Sequence, residues 1–163
     1  MRISHAVRLL VLCGLISALL PAVHVMAAMQ AYMTIKGTKQ GSIRKDATSD
    51  SIHLIRVAHD AATGTASGRR THSPITVTKE IDWASPKLVL AFSSHEMLSE
   101  VTISFQGASP NKRIVEKIVL KNAMIVSIRK SGNTEQITFD YQTIEVNWND
   151  GGKTATDDWE TPS

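Results

Sequence analysis

The side chains able to do chemistry are few and scattered. Beyond the first 28 residues there are four histidines, His53, His59, His72 and His95, and no cysteine. None of these histidines pairs with another at the spacing of one helix face, and no thiolate supplements them, so the pattern does not indicate a metal centre. Glu80 and Asp82 stand two apart, which on a strand puts both carboxylates on one face. That meets the minimum for paired-carboxylate hydrolysis, and it is equally the pattern of a solvated strand face. Serine is plentiful, yet no G-x-S-x-G nucleophile elbow occurs, and no glycine-rich phosphate loop precedes a helix. What remains is suited to binding. Arg69 and Arg70 offer forked donors for a phosphate or a carboxylate. Asp157 and Asp158 precede Trp159, an aromatic in a polar tail that needs a surface to bury against. Neither set implies a catalytic residue or a cofactor.

The elements that must position these residues are mostly strands. Ile75, Val77, Lys79 and Ile81 alternate with Thr76, Thr78 and Glu80, the period of a half-buried strand. Ser85-Pro86 then reads as a helix start, with the hydroxyl accepting a first-turn N–H and proline at the first helical position. A helix is expected over about residues 86–94, with Leu88, Val89, Ala91, Phe92 and His95 as its apolar stripe. Strands are expected over 31–35, over 51–58 (apolar on both faces) and where Val101, Ile103 and Phe105 alternate. Residues 113–128 are long enough for a helix, but Ile and Val dominate and Asn122 interrupts, so strands are expected. Ile137, Phe139 and Tyr141 alternate, and the phase then slips to Ile144, Val146 and Trp148, which predicts a bulge near Gln142-Thr143. Residues 36–41, 107–112, 131–133 and 149–152 carry turn residues, and 60–72 reads as a long loop holding Arg69 and Arg70. The sum is a mainly β fold, an antiparallel barrel or sandwich with one flanking helix.

The first 28 residues stand apart. Arg2 and Arg8 flank a short basic start, residues 9–23 are apolar, and Val25-Met26-Ala27 supplies the small residues of a cleavage site. This is the layout of a secretory signal peptide, cut after Ala27 or Ala28; the other reading is an upstream extension, with Met29 as the true start. Removing it leaves residues 29–163, a length that buries about two-thirds of its unfolded surface. Two of the 18 basic residues fall in the leader, so the remaining 16 face 15 acidic ones. The alkaline isoelectric point of the whole chain is therefore no argument for nucleic acid or membrane as a partner.

The stretch SGRRTHSPITVTKEIDWASPKLVLAFSSHEML, residues 67–98, resembles the central segment of the haemolysin-coregulated protein (Hcp) family, whose form is roughly SGQRVHKP, strand, K, ASP, helix, GE, L. AYMTIKGTKQGSI at residues 31–43 and DDWETP at 157–162 resemble the family's two ends. The resemblance thus runs over nearly all of 29–163. It implies the tube protein of type VI secretion: an antiparallel β-barrel with one helix, a homo-hexameric ring, and stacked rings forming a conduit. It also implies a spike protein (VgrG), a contractile sheath and small effectors as partners, assembly in the cytoplasm and export through that machine. No enzymatic activity is implied. Arg69 and Arg70 are expected to reach an acidic surface on an adjacent ring, with Asp157, Asp158 and Trp159 as candidates for the contact. Residues 44–60 are shorter than in similar members, and ITFDYQTIEVNW departs from the family's usual basic wording. Two rival functions are a monomeric periplasmic ligand-binding β-barrel, which a genuine leader favours, and a small secreted hydrolase.

Overall fold

The computed structural model describes residues 29–59, 73–107, 113–149 and 152–158. Ten strands and one helix follow in the order β1 (Gln30–Gly37), β2 (Gly41–Ile43), β3 (Ile52–Leu54), β4 (Arg56–His59), β5 (Ile75–Glu80), α1 (Ser85–Ser93), β6 (Leu98–Gln106), β7 (Ile114–Ser131), β8 (Thr134–Asp140), β9 (Thr143–Trp148) and β10 (Lys153–Asp158). Every pairing is antiparallel, and the main path runs β2-β1-β6-β7-β8-β5-β4.

The 18-residue β7 is the spine. Its first half pairs with β6 and β9, and its second half with β8. The expected interruption falls at Asn122, whose φ of 50° turns the chain without ending the strand. Two sheets thereby share one strand, and a fold on this scheme wraps its inner faces around one core. Met33, Ile35, Ile52, Ile75, Val77, Leu88, Leu98, Ile103, Leu120, Ile137 and Phe139 are all buried in that core. Among the described residues the ladder does not close strand to strand into a barrel. The segment 52–59 bridges its margins: β3 pairs with β1, the chain bends at the exposed Ile55, and β4 pairs with β5. This corrects the single strand expected over 51–58.

The phase slip lies where it was expected and takes another form. Tyr141 and Gln142 separate β8 from β9, so two strands meet β7 in place of one bulged strand. Asn122 Nδ2 donates to Gln142 Oε1 across that break (2.7 Å).

Candidate assembly surfaces and the network behind them

The inward phase of β5 delivers Ile75 and Val77 to the core and then a cation, Lys79, with none of its surface exposed. A buried ammonium demands partners. Its Nζ donates to Glu135 Oε1 (2.9 Å), Asp82 Oδ1 (2.7 Å) and the Glu80 carbonyl (2.6 Å), and lies 3.3 Å from Ser85 Oγ. Ser85 Oγ in turn donates to Glu135 Oε1 (2.6 Å) and accepts from Asp82 N (3.0 Å). Glu135 comes from β8, so one ion cluster ties β5, β8 and the start of α1 together. Ser85 is therefore not the side-chain cap expected of it. It is the first helical residue, the helix spans one position earlier than expected, and Asp82 Oδ1 takes the Ala84 N–H (2.9 Å). Asp82 is bound into this cluster while Glu80 is exposed, so the two do not form a hydrolytic carboxylate pair. Ile81 follows the end of β5 and is exposed, contrary to the alternation that pointed it inward.

The other end of α1 is built around a second buried carboxylate. The helix closes with Glu96 N donating to the Ala91 carbonyl (2.9 Å) and His95 N to that of Phe92 (3.2 Å). This is a Schellman closure, which needs a left-handed residue just past the helix end. His95 supplies it at φ 48°, in the place where the family form has glycine, and so is not part of the apolar stripe. Glu96 then turns inward. Its Oε1 accepts Lys39 N (2.7 Å) and Gln40 N (2.9 Å), and its Oε2 accepts Gln40 Nε2 (2.9 Å). Burial pushes this carboxyl up, but the bonds from Gln40 and Lys39 outweigh it and hold it below the usual glutamate value. A Cβ on Gly37 would lie 2.3 Å from Glu96 Oε1, so this glycine makes room for the carboxylate.

The helix stripe is narrower than its sequence suggested. Leu88 and Ala91 are buried, whereas Val89, Leu90 and Phe92 are exposed, as is Trp83 just before the helix. Trp83 shows 67 % of its surface and Leu90 54 %. Strand margins are the second kind of surface. Among the described residues β10 pairs only with β9, and the described side chains at 153–156 are all exposed. Residues 153–158 of the tail thus form a strand at one margin of the described sheet. Asp157 lies opposite Ile144 and Asp158 opposite Thr143. Asp157 also lines an open recess of about 340 Å³ with Ile144, Val146, Ala155 and Thr156. Arg69, Arg70 and Trp159 lie outside the described residues, as does His72. The other histidines sit apart: His53 packs edge-on against Tyr32, and His59 Nε2 is 3.3 Å from the Tyr141 hydroxyl. Sequence reasoning assigned no role to Lys79, Glu135 or Glu96. The signals were present: a lysine in phase with Ile75 and Val77, and the K, ASP and E of the family form.

Comparison with known proteins bears on the same residues. The family model described as "Type VI secretion system effector, Hcp" matches residues 32–148. The chain belongs to the Hcp family. The match lies inside 29–163 and takes in the whole clustered motif, from Lys79 to Leu98. The chain is 32 % identical to the "Major exported protein" of Pseudomonas aeruginosa, over 83 % of this chain and 98 % of that one. Among solved structures it is similar to the secreted protein Hcp3 of Pseudomonas aeruginosa, with 28 % identity, a TM-score of 0.70, and coverage of 82 % of this chain and 100 % of that one. An Hcp1 of Escherichia coli shares the fold at 24 % identity and a TM-score of 0.72, with 82 % and 99 % covered. Hcp membership makes the chain an exported structural protein of type VI secretion, with a mainly antiparallel sheet and, among the described residues, one helix.

Proposed function

We propose that six copies of this Hcp chain close into a ring and that rings stack into the type VI conduit, which shelters small effectors and meets a spike protein and a contractile sheath. One observation carries the reading: a small domain with a packed core still exposes Trp83, Val89, Leu90 and Phe92, and among the described residues β10 and β4 stand at the margins of the sheet, where they pair with β9 and β5. A cyclic ring requires two different complementary patches on each subunit. Exposed apolar surface and free strand edges are the features that a neighbour covers. In this reading Arg69 and Arg70 meet Asp157 and Asp158 of an adjacent ring. Residues 1–28 are a leader removed before assembly, or an extension upstream of Met29, and N-terminal sequencing of protein from cells separates the two. Light scattering of purified protein tests the assembly. A mass about six times that of one subunit is expected, and a single-subunit mass at high concentration, the behaviour of a monomeric ligand-binding barrel, overturns it. Reversing Arg69 and Arg70 to Asp should reduce stacking and leave single rings intact.

A further inference from the structure

We propose that the recess beside β10 is the seat of Trp159 of the same chain, so that the last strand ends in an aromatic plug. The inference starts from the phase of the β9–β10 hairpin. Ala155 lies opposite Val146 and Asp157 opposite Ile144, so these four side chains share one face of the pair. That face is turned to the core: Ile144 belongs to the core cluster and Val146 packs against it. The same four residues, with Thr156, line the open recess of about 340 Å³. Ile144 is buried on β9, whereas Ala155 on β10 is exposed. The inner face of β10 thus overhangs the rim of the core with a floor of Ile144, Val146 and Ala155.

The chain itself supplies the occupant. Trp159 follows directly on Asp158, the last residue of β10. Residues 155, 157 and 159 fall on one face of a strand. Two residues along a strand span about 7 Å, so an indole at 159 starts within side-chain reach of the recess wall at Asp157. One further step of the ladder from the Asp158–Thr143 pair sets residue 159 opposite Gln142, next to Tyr141. Asp157 is felt there: after burial and the charge of Asp140, its charge helps push the Tyr141 hydroxyl up to about 12. A tryptophan needs apolar cover for its rings and an acceptor for its N–H. The recess offers both, in its aliphatic floor and in the Asp157 carboxylate at its wall. The tether is one residue long, so seating this side chain costs far less freedom than seating one from a second copy. The inference is independent of the ring reading, because a lone subunit and a ring member would carry the same plug.

The test uses the full chain with Trp83→Phe and Trp148→Phe, both at exposed positions, which leaves Trp159 as its only tryptophan. Acrylamide quenching of fluorescence reads the exposure of that side chain. Quenching at least about threefold weaker than in the denatured chain is expected for a seated indole, and quenching at the denatured level overturns the inference. Ala155→Arg then places a long cation in the recess. It should return Trp159 to the denatured level while circular dichroism keeps its strand signal; protection that persists overturns the inference. If that variant does not fold, Ala155→Leu, which fills the recess without a charge, replaces it with the same two outcomes. Co-expression decides between the chain's own tail and a neighbour's. Lone-Trp159 chains carrying Ala155→Arg are made together with chains that keep Ala155 and lack all three tryptophans, with Trp159→Ala. Trp159 that stays unprotected supports seating within one chain. Partial recovery of protection shows a neighbour's recess to be the seat and overturns the inference.

Discussion

Lys79 and Glu96 show how a small β domain uses buried charge to fix the ends of α1. Lys79, Glu135, Asp82 and Ser85 form a set in which each member answers another, so removing one strands the rest. Lys79→Met should cost about 3–5 kcal/mol in denaturant unfolding, because it leaves the fully buried Glu135 without its cation. Replacing Lys79 and Glu135 together by Met and Leu should recover most of that loss, since no unpaired charge then remains. Glu96 makes a pH-dependent prediction. Its carboxyl is held below the usual value of 4.5. Its stabilising share is therefore fully present above that value and is lost as pH falls through the lower, folded one. Thermal melts from pH 6 down to pH 3 should show a loss of stability that is smaller in Glu96→Gln. An equal slope in the two proteins would remove the carboxylate from the explanation. His95 is the residue that the local rules disfavour: at φ 48° a side chain costs about 1 kcal/mol that glycine avoids. His95→Gly should raise stability by about that amount, read as a higher denaturant midpoint.

At the scale of elements, the break in β7 and the gap between β8 and β9 are one device. Asn122 at φ 50° and the Tyr141-Gln142 break lie side by side, linked by an amide–amide bond, and there β7 exchanges β9 for β8 as its partner. Asn122→Gly should be tolerated, whereas Asn122→Val should cost about 1–2 kcal/mol, because a β-branched residue resists the left-handed region. Equal stabilities of the two variants would show that this conformation is not required. The sequence carried both halves of the device, the asparagine inside an Ile/Val run and the slip from Tyr141 to Ile144, because hydrophobic phase is a local property. It did not reveal that they face each other, since register between distant strands is set by the packed fold. The helix shows the same division. Its existence and position were legible to within one residue, but periodicity gave an apolar stripe without saying which part of it meets the core. The split between buried Leu88 and exposed Leu90 depends on where the sheet lies. Ser85 was legible as a helix-start residue and not as a partner of Glu135, which lies 50 positions away.

At the scale of the whole molecule, the question is what the surface left over by the core is for. Lys79 and Ser85 hold the start of α1, Leu88 and Ala91 bury its inner face, and Trp83, Val89, Leu90 and Phe92 remain outside. A helix held this firmly does not need those apolar side chains for its own stability. The pair Leu90→Lys and Phe92→Lys should therefore leave the unfolding midpoint of the isolated subunit within about 0.5 kcal/mol of the parent's. If the outer face of the helix is one of the two patches that close the ring, the same variant should run at the mass of one subunit, because two cations would be pressed into an apolar interface. If the proposed ring closes through strand margins alone, the variant keeps the mass of the ring. Light scattering and unfolding on one preparation separate these outcomes from simple misfolding, which would lower the midpoint and the mass together.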